Sequence, residues 1–232
     1  MTLPDLPRTE AAIIDLTNAF RAENRLAPVQ ANGTLAKAAK AFADYLAVSG
    51  RFAHEADGRK PSDRTKAAGY KHCIVAENLA LNQDGRGFDA RGLARQAVEG
   101  WKGSPPHRAA MLHPHVTEIG VGVSKAADAS PKFLSVQLFG RPDSFRFTFK
   151  VENAVGAPVT YSYNGRNQAV AANTAIAHTE CTPGTLSIDG ITGSFATSDG
   201  TIYRVTRDGT GYKVDVAARQ PSPQPAIRPP VR

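Results

Sequence analysis

Trp101-Lys102-Gly103-Ser104-Pro105-Pro106-His107-Arg108 is the stretch on which the reading of this fold turns. Behind it, Leu93, Ala97, Val98 and Trp101 share one side of a helix that Asp89 can cap. Ser104-Pro105-Pro106 then caps a second, short helix with proline in its first turn, and Pro114 bounds that helix on the far side. Outward from this break lie Phe52-Ala53-His54, Glu77-Asn78-Leu79-Ala80 and Ile119-Gly120-Val121-Gly122-Val123. Together they bring His54, Glu77 and His107 into a region that otherwise reads as core-forming helix and strand. Imidazole and carboxylate ligate divalent metals and also move protons. A cleft holding them can bind a metal, do chemistry, or satisfy its own hydrogen bonds, and at this level all three readings stay open.

The first 125 residues read as helices with short connections. Ile13, Leu16 and Phe20 share a helical face that Arg25-Leu26-Ala27-Pro28 brings to an end, because the residue before a proline avoids the α region. After Asn32-Gly33, Leu35, Ala38, Ala39, Phe42 and Leu46 repeat at helical spacing until Ser49-Gly50, and His54 follows just past that end. Pro61-Ser62-Asp63 starts a short helix that Gly69 stops. Ile74-Val75-Ala76-Glu77-Asn78-Leu79 is apolar but broken by polar residues, so strand and helix cannot be separated there. Ile119 to Ser124 and Phe133 to Phe139 alternate as two antiparallel strands.

Beyond Arg141-Pro142 the period changes to two. Phe145, Phe147 and Phe149 alternate, as do Val159, Tyr161 and Tyr163, and Asn164-Gly165, Asp189-Gly190, Asp199-Gly200 and Asp208-Gly209 are turn dipeptides at hairpin spacing. The expected organisation is a first domain over 1–141, a small all-β domain over 142–216 (a sandwich or partly open barrel), and a tail over 217–232. That tail has five prolines in sixteen residues and no acids, a composition expected to be disordered or polyproline-like.

The net charge of +7 is spread as 19 basic and 14 acidic residues before Pro142 and 9 and 7 after it, with the signs interleaved. No Lys/Arg cluster with aromatic neighbours occurs, so nucleic acid is not an expected partner. No apolar run approaches the roughly 18 residues a spanning helix needs, so no transmembrane segment is expected. Met1 to Glu10 carries two acids, one arginine and no apolar core, so it does not read as a signal peptide. Two cysteines are too few for a disulfide framework. A Cys73–Cys181 bridge would close a loop of about 108 residues, in principle worth on the order of 4–5 kcal/mol. Two buried free thiols are the commoner outcome. A third arrangement would place His72, Cys73, His178 and Cys181 around zinc.

Several of these motifs, taken together, resemble one family. Asn18-Ala19-Phe20-Arg21 with Arg25-Leu26-Ala27-Pro28, then Phe52-Ala53-His54, Glu77-Asn78-Leu79-Ala80, Trp101 to Arg108, Glu118-Ile119-Gly120-Val121-Gly122 and Gln137-Leu138-Phe139-Gly140 occur in order over about residues 10 to 141. They look like the bacterial SCP-like extracellular branch of the CAP superfamily, relatives of the cysteine-rich secretory, antigen 5 and plant pathogenesis-related proteins. The resemblance implies an α+β fold: an α-β-α sandwich with a central antiparallel sheet and a cleft over one end. In the eukaryotic members two histidines and two glutamates line that cleft and can hold a divalent metal. Here His54 and Glu77 match the first of each, while Ser104 stands at the second glutamate position and Leu134 at the second histidine position. The bacterial branch places a histidine in the Ser-x-x-His-Arg turn, which is His107, and Ala110 stands where that branch usually has asparagine.

The expectation is therefore a secreted or periplasmic CAP-domain binding module. Its cleft is lined by His54, Glu77, Asn78, Trp101, Ser104, His107 and Arg108, and takes a small ligand, a lipid or an envelope polymer. His54, Glu77 and His107 are the candidate ligands for zinc or magnesium, with one position left open. A metal-dependent hydrolase using the same three residues is the alternative from a different class, and a structural envelope protein is a third. The reading leans away from an enzyme. Ser104 sits in no nucleophile elbow, Asp84-Gly85-Arg86-Gly87 lacks phosphate-binding spacing, and His113 and His115 flank Pro114 as structural or solvent residues.

Overall fold

The structure is a computed structural model describing residues 2–128 and 130–218. It divides into two compact units at Phe145/Arg146.

In the first unit, α1 (Leu6–Glu23), α2 (Gly33–Ser49), α3 (Pro61–Ala67), α4 (Ala90–Gly103) and α5 (Pro105–Met111) enclose one sheet. Its strands β1 (Gln30–Ala31), β2 (His72–Gln83), β3 (Glu118–Lys125) and β4 (Lys132–Pro142) lie in the order β1-β3-β4-β2. The long strands pair antiparallel, and only the two-residue β1 runs parallel to β3. Ile13 and Phe20 of α1 and Leu93, Ala97 and Trp101 of α4 pack with Ile119, Val121 and Phe139 of the sheet. Leu35, Ala39, Phe42 and Leu46 of α2 pack with Leu79, Val136 and Leu138 on the other side. Helices on both faces of a sheet give the expected three-layer α-β-α sandwich.

The Ile74–Leu79 run is strand. It belongs to β2, which pairs with β4 from end to end. Burial on both faces removes the alternation that normally marks a strand. The glycines of Ile119-Gly120-Val121-Gly122 serve helix packing. A Cβ on Gly120 would lie 2.2 Å from the Ala36 nitrogen, and one on Gly122 2.2 Å from the Lys40 nitrogen, so α2 rests directly on the β3 backbone. α1 closes at Glu23, ahead of the proline signal, because Arg25 turns left-handed at φ 59°. Arg21, nearly fully buried, donates to the carbonyls of Ala27, Met111 and His113, and so ties the end of α5 to α1.

A short 3-10 turn (Asp143–Phe145) ends this unit. The second unit has two four-stranded sheets. One is β10-β9-β6-β7, made of β6 (Val159–Tyr163), β7 (Arg166–Val170), β9 (Thr185–Ile188) and β10 (Phe195–Ala196). The other is β12-β11-β5-β8, made of β5 (Phe147–Asn153), β8 (Ala175–Glu180), β11 (Thr201–Asp208) and β12 (Gly211–Ala218). They share a core that includes Phe149, Val151, Tyr161, Leu186, Tyr203 and Val205, a sandwich in miniature. Asn164 and Gly165, at φ 48° and 76°, supply the left-handed turn that joins β6 to β7. β12 continues through Ala217 and Ala218, two residues expected in the tail, and residues 219–232 of that tail lie outside the described residues.

Neither cysteine is a free thiol. Cys73 and Cys181 form a disulfide, which corrects the expectation of two buried thiols. It also removes the zinc alternative, which needs thiolates. His178 is occupied elsewhere: its ring stacks on Phe149 at 4.6 Å and its Nε2 is 2.8 Å from the Tyr161 hydroxyl.

Candidate functional site

β2 supplies Glu77 from a position whose side chain is 1% exposed. A buried carboxylate must be paired and hydrogen-bonded to remain charged, and Glu77 is held from two sides. His54 lies in the segment after α2, whose chain leaves the helix through the left-handed Gly50, and its Nδ1–H donates to Glu77 Oε1 at 2.9 Å. Arg64 of α3 reaches the same carboxylate, with Nη2 at 2.9 Å from Oε1 and 2.7 Å from Oε2. Its Nη1 donates to Asp57 Oδ1 at 2.9 Å and to the Arg59 carbonyl at 2.6 Å. The guanidinium carbon sits 3.5 Å from the centre of the Phe42 ring, a cation–π contact. The Arg64 side chain is only 4% exposed, whereas the His54 side chain is 49% exposed.

The hydrogen bond to Glu77 raises the proton affinity of His54 above the ordinary histidine value. Burial and the Arg64 charge oppose that rise, and the Glu77 charge supports it. His107 moves the other way: burial lowers its proton affinity, and the nearby His54 charge lowers it further. The two imidazoles are thus neighbours whose proton affinities are pushed apart.

His107, close enough to His54 to feel its charge, lines a groove of about 300 Å³. Phe52, Leu81, Gln96, Gly100 and Ser104 line it with His107, and Trp101 closes its inner end by donating its indole N–H to the Leu79 carbonyl at 2.9 Å. Ser104, expected as a helix cap, makes no side-chain capping bond and sits on the groove wall.

Two expected cleft residues face elsewhere. Asn78 is fully buried. Its Nδ2 donates to the His107 carbonyl at 3.1 Å and to Gln137 Oε1 at 3.0 Å, and Gln137 donates on to Thr17 Oγ1 at 2.8 Å. Adjacent strand residues point to opposite faces, so Asn78 anchors α5 from beneath while Glu77 faces α3. Arg108 lies over the Phe20 ring at 4.9 Å, drawn toward α1. His113 and His115 contact each other, with the His115 N–H donating to His113 Nδ1.

The donor set does not fit a divalent metal. Among the described residues no three His, Cys, Asp or Glu side chains come together in a way that could hold one. At Glu77 a guanidinium already covers both carboxylate oxygens with a fixed positive charge. Arg64 is the residue that sequence reading missed. It lies thirteen positions before Glu77 in a segment legible only as a short helix start, and nothing in the sequence aims its side chain.

The fold is also found in solved structures. An outer surface protein from Borrelia burgdorferi superposes with a TM-score of 0.50 at 23% identity, over 58% of this chain and 93% of that one. An extracellular SCP-domain protein from Bacillus anthracis gives a TM-score of 0.49 at 26% identity, over 59% of this chain and 41% of that one. In sequence, the chain is 32% identical over 114 residues to the uncharacterized protein YkwD of Bacillus subtilis (strain 168), which is 49% of this chain and 41% of that protein. It is 30% identical over 119 residues to the uncharacterized membrane protein YlbC of the same organism, 50% of this chain and 32% of that one. The chain therefore spans less than half the length of these two relatives. The family model described as CAP, the cysteine-rich secretory protein family, matches residues 14–139, more than half of the chain. With that match laid over the sandwich and the His54–Glu77 cleft, the chain belongs to the CAP family.

Proposed function

We propose that this protein is an extracellular or periplasmic binding module whose groove between Phe52 and α4 takes hold of a segment of an envelope polymer. The observation that carries this reading is the pairing of His54 with Glu77. A fully buried, doubly held carboxylate fixes the orientation of a half-exposed imidazole beside an open groove with an apolar wall. A rigid polar group next to apolar contact surface is the usual composition of a ligand site. No metal takes part, because Arg64 supplies the positive charge at Glu77. The disulfide supports a location outside the cytoplasm, where such bonds persist, and the description of the family as secretory points the same way.

Co-sedimentation of the full chain with isolated cell-wall sacculi, beside His54→Ala and Phe52→Ala, tests the proposal. Each substitution is expected to weaken retention about tenfold, the scale of one good contact at about 1.4 kcal/mol. Retention unchanged in both variants overturns the reading and transfers the binding role to another surface.

One observation favours a second reading, a hydrolase. Glu77 orients His54 through Nδ1, which leaves Nε2 for proton transfer, and the split affinities of His54 and His107 suit an acid and a base. Turnover of ester, peptide or glycan substrates that disappears in His54→Gln with the fold intact would support it.

A further inference from the structure

We propose that the groove binds an extended peptide, which adds as a fifth strand along the open edge of β2. The inference rests on the groove being a ligand site and names the class of ligand.

β2 is the outermost strand of its sheet, and its pairing from His72 to Gln83 is with β4 alone. In an antiparallel strand the N–H and C=O of one residue point to the same side, and successive residues alternate. The Leu79 carbonyl receives the Trp101 indole N–H, so Leu79 faces off the sheet edge, and so does Leu81 two residues on. Leu79 is capped by Trp101. Leu81 is not: among the described residues no other group outside the ladder hydrogen-bonds to its backbone. An edge left open in this way is a template for another strand.

The surroundings of that edge fit a peptide. Leu81 is 42% exposed and Phe52 is 47% exposed, and both line the groove. On the opposite wall stands Gly100, inside α4. Glycine in a helix interior destabilises it relative to alanine, yet a Cβ at Gly100 would meet nothing within 4 Å. The fold has no steric need for glycine there, and its effect is a bare wall where an incoming backbone can approach. No acidic residue lines the groove. A lipid chain could cover Phe52 and Leu81 but would bury the Leu81 N–H and C=O without partners, which is unfavourable. An extended peptide pairs with both groups and lays alternate side chains onto the apolar wall.

The test uses the full chain and an array of immobilised octapeptides in which Val, Leu or Phe alternates with Ser or Thr. A subset is expected to be retained. Re-synthesis of that subset with single N-methyl groups should weaken binding more than tenfold at every second residue and leave the intervening positions unaffected. Gly100→Leu, which fills the bare wall, should abolish retention while its melting temperature stays at or above that of the parent. Leu81→Pro, which removes the outward N–H from an edge strand that tolerates proline, should also weaken it more than tenfold.

Retention insensitive to N-methylation, or no retained peptide, overturns the proposal. So does a concentration-dependent dimer that Gly100→Leu abolishes, since it would assign the edge to a second copy of the chain. If any of these occurs while binding to sacculi still depends on His54 and Phe52, the groove remains a ligand site and only the peptide assignment falls.

Discussion

Arg64 and Glu77 form a buried ion pair in which one guanidinium nitrogen lies within 2.9 Å of both carboxylate oxygens. With side chains 4% and 1% exposed, neither partner has water to fall back on. Asp57 and the Arg59 carbonyl hold the other terminal nitrogen of the guanidinium, and Phe42 covers its face. The pair occupies the place where family resemblance raised a divalent cation.

The first prediction concerns that substitution of charge. Calorimetric titration of metal-stripped protein with zinc or magnesium should show no binding at Glu77. Arg64→Met should cost up to about 3–5 kcal/mol, because it strips a buried carboxylate of its guanidinium partner and leaves only the His54 hydrogen bond. Arg64→Met combined with Glu77→Leu should recover much of that loss. Urea denaturation of the three proteins measures both effects. Micromolar zinc binding by the parent that Glu77→Gln removes would place a metal at this carboxylate after all.

The second concerns protons. The folded state raises the affinity of His54 above the ordinary value of 6.5, chiefly through the hydrogen bond to Glu77. The stabilisation this contact gives is therefore whole below about pH 6.5 and is lost as pH rises through the higher folded value. His107, lowered by burial and by His54, titrates below 6.5, so its contribution has the opposite sign and stability is lost as pH falls. NMR titration should show His107 losing its proton before His54 as pH rises. In Glu77→Gln the His54 midpoint should move down.

The third sets two glycines against each other. Gly122→Ala would drive a methyl group into the α2 backbone at Lys40, where the nearest atom lies 2.2 Å away. A loss of about 3 kcal/mol is expected. Gly100→Ala adds a methyl group in open space within a helix and should stabilise the protein by up to about 1 kcal/mol. Thermal unfolding of the two variants separates a glycine the fold needs from one it does not.

The fourth concerns the disulfide. Because it closes a loop of about 108 residues, its removal should cost the full chain on the order of 4–5 kcal/mol by the chain-entropy account. Denaturation of the parent with and without reductant, beside the double variant Cys73→Ser with Cys181→Ser, measures it. Identical midpoints would show that the unfolded chain gains little freedom when the bridge opens.

What the sequence determined by itself was local and periodic. The apolar face of α2, the Asp89 cap of α4, the proline break at Ser104-Pro105 and the Asn164-Gly165 turn were all legible, because each depends on residues within one or two turns of one another. The motif order from Phe20 to Gly140 carried the family, and with it the sandwich. Tertiary structure decided the rest. Ile74–Leu79 became strand because layers on both faces bury it, which erases the alternation a reader looks for. Asn78, quoted beside Glu77 as a cleft residue, went under the sheet because neighbouring strand positions face opposite ways. The union of Cys73 with Cys181, the reach of Arg64 to Glu77, and the placing of Gly100 and Leu81 along one groove are relationships across sequence distance. No local propensity encodes them: they exist only once the packing of helices on the sheet has fixed where each side chain ends.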